Sequence, residues 1–293
     1  MLKRMEVFMI AAIFVLITAI IVIIYTMQRD QDFTNHNSNI QKALVHGAAY
    51  AIDLQLQQKH RHVNLFIDEY SALINHLNNY PNDEKTATDI QNRLQQRFPD
   101  FFTFTISAPN GEPILQNIES LVGEACKTDL NNFAQTVKVS RKNIENRVFV
   151  HPQPFHYHYD IMAPLPGSGS SLRIFFSSFY LKEIIDTLKT HSIPGQNLML
   201  VKQSDPGLIE VSSEGARDKL SRAPRLSAEE QRSGRFYENI PNTDWRVISL
   251  PDDKYVKSYR HGLWKEATII LAVVTLALFL LIIVLSRLSQ KHE

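Results

Sequence analysis

Phe101–Ser107 reads FFTFTIS, and this stretch is where the chain changes its period. Upstream, apolar residues recur at spacings of three and four. Within it they recur every second residue, with Phe102, Phe104 and Ile106 on one side and Thr103, Thr105 and Ser107 on the other. A helical first part followed by a strand-rich second part predicts an α+β fold rather than alternating βαβ units. Pro109, Asn110 and Gly111 supply a turn after the strand, and Glu112–Leu115 is expected to return beside it.

Moving toward the N-terminus, Ile40, Leu44, Ile52, Leu56, Val63, Phe66, Tyr70, Leu73 and Leu77 share a helical period, which predicts one long helix broken once near Gly47. A second helix is expected over Asp83–Phe98, stopped by Pro99. Toward the C-terminus, a mixed region to about Asn146 precedes strands at Val148–His151, His156–Leu165 and Leu172–Phe179, then a helix from Leu181 to Leu188. Beyond Pro194 and Gly195, strands are expected at Asn197–Lys202, Leu208–Ser212, Arg235–Ile240 and Trp245–Leu250. The exported chain therefore divides into residues 26–195, the long helix with a five-stranded antiparallel unit, and residues 196–252, a smaller four-stranded unit. An exit helix follows at 253–266.

The composition is ordinary, 44% hydrophobic and 21% charged with a net charge of +1, but the apolar residues are concentrated at the two ends. Residues 7–25 (VFMIAAIFVLITAIIVIIY) and 267–285 (ATIILAVVTLALFLLIIVL) carry no charge. Each run of about nineteen residues gives close to 30 Å of helix, the thickness of a bilayer's hydrocarbon core. Tyr25 and Trp264 mark their outer edges. Lys3 and Arg4 hold residues 1–6 in the cytoplasm by the positive-inside rule, so the middle of the chain is exported and residues 286–293 return to the cytoplasm. The stretch YTMQRDQ offers no small-x-small cleavage site, so the first run reads as an uncleaved anchor. The single cysteine, Cys126, excludes an internal disulfide, and near-neutral charge without a basic cluster argues against nucleic acid as a partner.

Three stretches carry a resemblance: FTISAPNGEPIL (104–115), HYDIMAPL (158–165) and SLRIFFSSFYLKEII (171–185). In their order between two membrane helices they resemble the Cache family, the PAS-like extracytoplasmic sensor domains of bacterial membrane-bound signalling proteins. PGLIEVSSEGARDKL and IPNTDWRVISLPDDKY look like the membrane-proximal part of sensor regions that precede diguanylate cyclase modules. The resemblance implies a double-Cache-like architecture in a bacterial inner membrane, a small-molecule ligand, and a cytoplasmic output, with cyclic-di-GMP signalling as one possibility. In this family the second membrane helix usually leads into an output module. Here the tail reads SRLSQKHE, which implies a separate cytoplasmic partner or a missing module.

Strand parity predicts where a ligand would sit. His156, His158, Asp160 and Met162 oppose Tyr157, Tyr159, Ile161 and Ala163, while Arg173, Phe175 and Ser177 oppose Leu172, Ile174 and Phe176. The apolar faces are expected to pack on the long helix. The other face then collects His156, His158, Asp160, Arg173, Thr103 and Thr105, floored by Phe175, with residues 117–146 as a cover. An Arg fork near hydroxyls suits a small anion or an amino acid. The competing reading of that face is simple solvation. His156, His158 and Asp160 also raise zinc, but same-face neighbours on a strand lie about 7 Å apart, so no metal and no cofactor is assigned. No GxSxG, HExxH or Walker loop occurs, and no enzyme activity is expected. A polysaccharide chain-length regulator shares the two terminal membrane helices and is the structural alternative, although its second span is usually rich in proline and glycine. The sustained helical stripe from Ile40 to Leu77 predicts a homodimer through that helix, with contacts at Val63, Phe66 and Tyr70.

Overall fold

The computed structural model describes residues 4–108, 110–115, 124–139, 148–151, 157–165, 173–233 and 236–290. The chain forms two units, one of residues 1–41 with 251–293 and one of residues 42–250.

Helix α1 spans Arg4–Glu69 and runs without interruption through Gly47, where a break was expected. Leu44 precedes that glycine by one turn and Ala48 and Ala49 follow it, and one glycine in a long helix costs only about 1 kcal/mol. The interruption falls instead at Tyr70, which separates α1 from α2 (Ser71–Asn79) while the Tyr70 and Ile74 N–H groups still donate backward at 2.9 Å. Helix α3 (Glu84–Arg97) starts where Asp83 accepts hydrogen bonds from both the N–H and the hydroxyl of Thr86.

The first sheet contains β1 (Phe101–Ser107), β2 (Val148–His151), β3 (His158–Pro164) and β4 (Ile174–Tyr180) in the order β1-β4-β3-β2, all antiparallel. The stretch 112–115 does return beside β1, with the Ala108 N–H donating to the Glu112 carbonyl and the Ile114 N–H to the Ile106 carbonyl. It forms one bridge, Ser107 with Pro113, and no strand, because a proline cannot donate to a ladder. The sheet is thus four-stranded rather than five-stranded. Helix α4 (Glu124–Val139) fills most of the region read as mixed, and α5 (Lys182–His191) follows β4. The second sheet, β5 (Gln196–Lys202), β6 (Ile209–Ser212), β7 (Tyr237–Asn239) and β8 (Trp245–Pro251), is four-stranded as expected, in the order β6-β5-β8-β7. A short helix, α6 (Ala228–Ser233), precedes β7, and α7 runs from Asp253 to Gln290.

One apolar cluster joins both sheets to α1. Val45, Ile52, Leu56, Val63 and Phe66 pack with Phe104, Ile106, Ile161, Phe175 and Phe179 of the first sheet and with Leu198, Val211, Trp245 and Val247 of the second. Val63 and Phe66 are fully buried, and Tyr70 lies against the same cluster. The stripe that predicts dimerisation is therefore used inside the chain. Two sheets, not one, take up its length.

In the other unit, α1 and α7 each contain an 18-residue window of high mean hydropathy, 2.8 and 3.1, of which only 6% is buried. Such lengths of exposed apolar helix suit a bilayer and not water. Above them the two helices are joined by Arg29 with Glu266 at 3.6 Å, Arg260 with Asp30 at 2.9 Å, and Phe33 stacked on Tyr259 with centroids 3.8 Å apart.

Candidate ligand site

Register places each predicted side chain. Phe104, Ile106, Tyr159, Ile161, Ala163, Phe175 and Phe179 belong to the cluster around α1. On the other face, three antiparallel strands align Thr103 with Ser178 and Asp160, Thr105 with Phe176 and Met162, and Ser107 with Ile174 and Pro164. Helix α4 covers this face, with Leu130, Phe133, Ala134 and Val137 packed on Met162, Ile174 and Phe176. The expected cover from residues 117–146 is thus present as a helix. It closes the face, so the reading of a solvated sheet is overturned: Thr105, Ser107, Asp160 and Ser178 are 0% exposed.

Two parity assignments are corrected. Phe175 lies opposite Ile106 and Ala163 on the α1 face and cannot floor a site built from Asp160 and Thr105. Strand β4 is buried from Ile174 to Phe179, apolar on both faces, so alternation alone could not orient it. Phe102 was expected beside Phe104, but an irregularity between Phe101 and Thr103 turns its ring toward His158 and Tyr180, at centroid distances of 5.2 and 5.1 Å.

Arg173 stands just before β4, its carbonyl accepting the Leu165 N–H. Ser178 is five positions further on, about 16 Å along a strand. The structure therefore does not bring Arg173 to Asp160. His156 lies outside the described residues. Thr103 and His158 share one end of this face with Asp160, and Ser178, which sequence reasoning missed, stands in register between Thr103 and Asp160. Thr105 and Ser107 lie two and four residues further along β1, in register with Phe176 and Ile174. Ser178 was assigned to no face because the parity of β4 was inverted.

The centre of the site is the Asp160 carboxylate. The Ser178 hydroxyl donates to its Oδ1 at 2.6 Å, and His158 Nε2 stands 3.7 Å from the same oxygen. Ser107 Oγ is buried with no hydrogen-bond partner among the described residues. Among the described residues no group of three His, Cys, Asp or Glu side chains could hold a metal ion. Gly111 fixes the helical cover. Its φ is +86°, and a Cβ there would come within 2.8 Å of the Asn131 backbone in α4.

On the α1 face, β3 continues into a buried charge cluster. Tyr159, next to Asp160 in the strand and facing the other way, has its hydroxyl 3.4 Å from Asp100 Oδ2. Lys59 of α1 donates to Asp100 Oδ1 at 2.6 Å and reaches Glu183 of α5 at 3.0 Å, with its ammonium 5.1 Å from the Phe179 ring centre. Burial pushes the Asp100 carboxyl up, and the Lys59 ammonium beside it opposes that rise. Burial also raises the Tyr159 phenol far above its usual range, so it stays a donor.

No family model matches the chain, and no curated protein matches it. Among solved structures, the ligand-binding domain of the Pseudomonas fluorescens chemoreceptor CtaA, in complex with L-isoleucine, aligns with 79% of this chain and 98% of its own at 11% identity and a TM-score of 0.48. The sensor domain of the V. cholerae histidine kinase DctB aligns with 76% of this chain and 99% of its own at 12% identity, TM-score 0.47. The ligand-binding domain of the Pseudomonas aeruginosa PAO1 amino acid chemoreceptor PctC, in complex with GABA, aligns with 74% of this chain and 99% of its own at 14% identity, TM-score 0.46.

Proposed function

We propose that the chain is a two-pass sensor of a bacterial inner membrane, with an exported Cache-like domain that binds a small amine-bearing molecule, such as an amino acid, under α4. Signal passes to a cytoplasmic partner or output module through α1 and α7. The observation that carries this reading is the back-to-back placement of Asp160 and Tyr159 on β3. Asp160 offers a buried carboxylate to an ammonium group, with the Ser178 hydroxyl and the His158 ring beside it and Thr103 in register across β4. Tyr159 joins the same strand to Asp100 and Lys59, and so to α1. A ligand that displaces β3 by a fraction of an ångström therefore acts on the long helix without any separate relay.

The site is closed by the α4 side chains, so entry requires α4 to lift from Met162, Ile174 and Phe176. A state with α4 lifted would bind the ligand and the closed state would not, which is the differential affinity that a sensor needs. Cyclic-di-GMP as the output is supported only by the likeness of the stretches around Gly207–Leu220 and Ile240–Tyr255 to cyclase-associated sensors. A homodimer through α1 would use its outward side, where Tyr50 and Leu54 are exposed.

Thermal unfolding of the whole chain in nanodiscs, with single amino acids and simple amines as additives, tests the site. A saturable rise in Tm that Asp160→Asn abolishes is expected, because a bound ligand stabilises the native state by mass action. No rise with any amine, or an equal rise in Asp160→Asn, overturns it.

A further inference from the structure

A cavity lies away from the α4 face. A groove of about 460 Å³ runs between α1 and the Pro241–Asn242 turn that joins β7 to β8. Its helical wall presents Asp53, Gln57, Arg61, Asn64 and Asp68, spaced so that each lies about a turn beyond the last. Leu56, Leu65 and Pro241 supply apolar surface between them. Asn242 holds the turn in the left-handed region at φ 58°.

His60 lines the same groove. It is 3% exposed, and neither ring nitrogen has a hydrogen-bond partner among the described residues. Buried polar groups without partners are rare in folded proteins, and one beside a cavity of small-molecule size points to what the cavity holds. A neutral imidazole offers one N–H and one lone pair, directed apart from its two nitrogens, so satisfying it takes one accepting and one donating group, and a molecule in the groove must bring both roles. A hydroxyl does both. The wall around it alternates acceptors (Asp53, Asp68), amides that do both (Gln57, Asn64) and a donor (Arg61). The wall carries both signs of charge and no dominant cluster of either, so it selects no net charge on a ligand.

We propose that this groove binds an uncharged polyhydroxylated molecule of the saccharide class, with ring hydroxyls on His60 and Asn64 and a C–H face on Leu65 and Pro241. Both nitrogens of His60 are out of contact with solvent, so a hydroxyl reaches them only when the packing around this α1 side chain opens. Occupation of the groove is then itself a movement against the long helix, separate from events under α4.

Titration calorimetry of the whole chain in nanodiscs, with maltose, cellobiose and N,N′-diacetylchitobiose as probes, decides the question. Saturable binding of at least one probe is expected, weakened at least about tenfold by His60→Leu and by Asn64→Ala and unchanged by Asp160→Asn. His60→Leu exchanges a buried ring without a hydrogen-bond partner among the described residues for an apolar side chain, and Asn64 is exposed, so both variants are expected to fold, which their thermal unfolding checks. No saturable heat from any probe at millimolar concentration overturns the proposal. So does full affinity in either groove variant, or loss of affinity in Asp160→Asn, which would move the sugar to the first site.

Discussion

Lys59 is a buried cation whose neighbours leave it little freedom to be replaced. Its ammonium serves Asp100 and Glu183 at once, and Asp100 is 4% exposed. Lys59→Met keeps the stem's packing and leaves Asp100 without its counter-charge, which should cost about 3–5 kcal/mol. Denaturant unfolding checks this, and Asp100→Asn in the Lys59→Met background should restore part of the loss. His60, the next residue, predicts a pH profile. Burial lowers its pKa from 6.5 to about 4, so on acidification the unfolded chain takes up the proton first. Its contribution is complete above about pH 6.5 and declines as the pH falls toward 4, by at most ~3 kcal/mol. Unfolding free energies between pH 7 and 4.5 should fall less steeply in His60→Leu than in the parent. Residues of this kind were not legible in the sequence. Lys59 and His60 read as two polar positions in a helical pattern, and only two flanking sheets make both of them interior. Phe102 was misread for a similar reason, since an irregularity in a strand leaves no mark in an alternating sequence.

Elements were read more readily than single residues. β1 was read with both ends correct, and β3, β5 and β8 to within two residues, because each alternates or runs apolar between clear turn signals. α4 was missed although Leu130, Phe133, Ala134 and Val137 stand at helical spacing; the masking feature was its polar remainder, EACKTDLNNFAQTVKV. This is the element that turns an open sheet face into a closed site. Phe133→Ala should loosen it selectively, by about 3–5 kcal/mol for a lost aromatic anchor. Hydrogen exchange should accelerate in α4 and in the Asp160–Met162 segment while amides of α3 and β8 keep their protection. Gly111→Ala should act in the same direction from the other side, because its Cβ meets the α4 backbone. Equal acceleration throughout residues 42–250 would mean that α4 is not a separable cover.

At the scale of the whole molecule, the charge-free runs at the two ends were the plainest signal in the sequence, and α1 and α7 carry them as exposed helix. The orientation drawn from Lys3 and Arg4 has a direct check. Alkaline phosphatase fused after Leu165 should be active and fused after Glu293 inactive, and the reverse pattern would put the domain in the cytoplasm. The pairs joining α1 to α7 reach further. Arg29, Asp30, Arg260 and Glu266 are all 37–67% exposed, so each ion pair is worth about 0–1 kcal/mol and is open to competition. Anionic phospholipid headgroups are the competitor nearest at hand, able to draw both arginines away from Asp30 and Glu266, while the Phe33–Tyr259 stack is indifferent to charge. The resting grip of the two helices on each other would then be set by the bilayer's own chemistry, looser in a cardiolipin-rich membrane than in a zwitterionic one, and would change as the cell remodels its lipids.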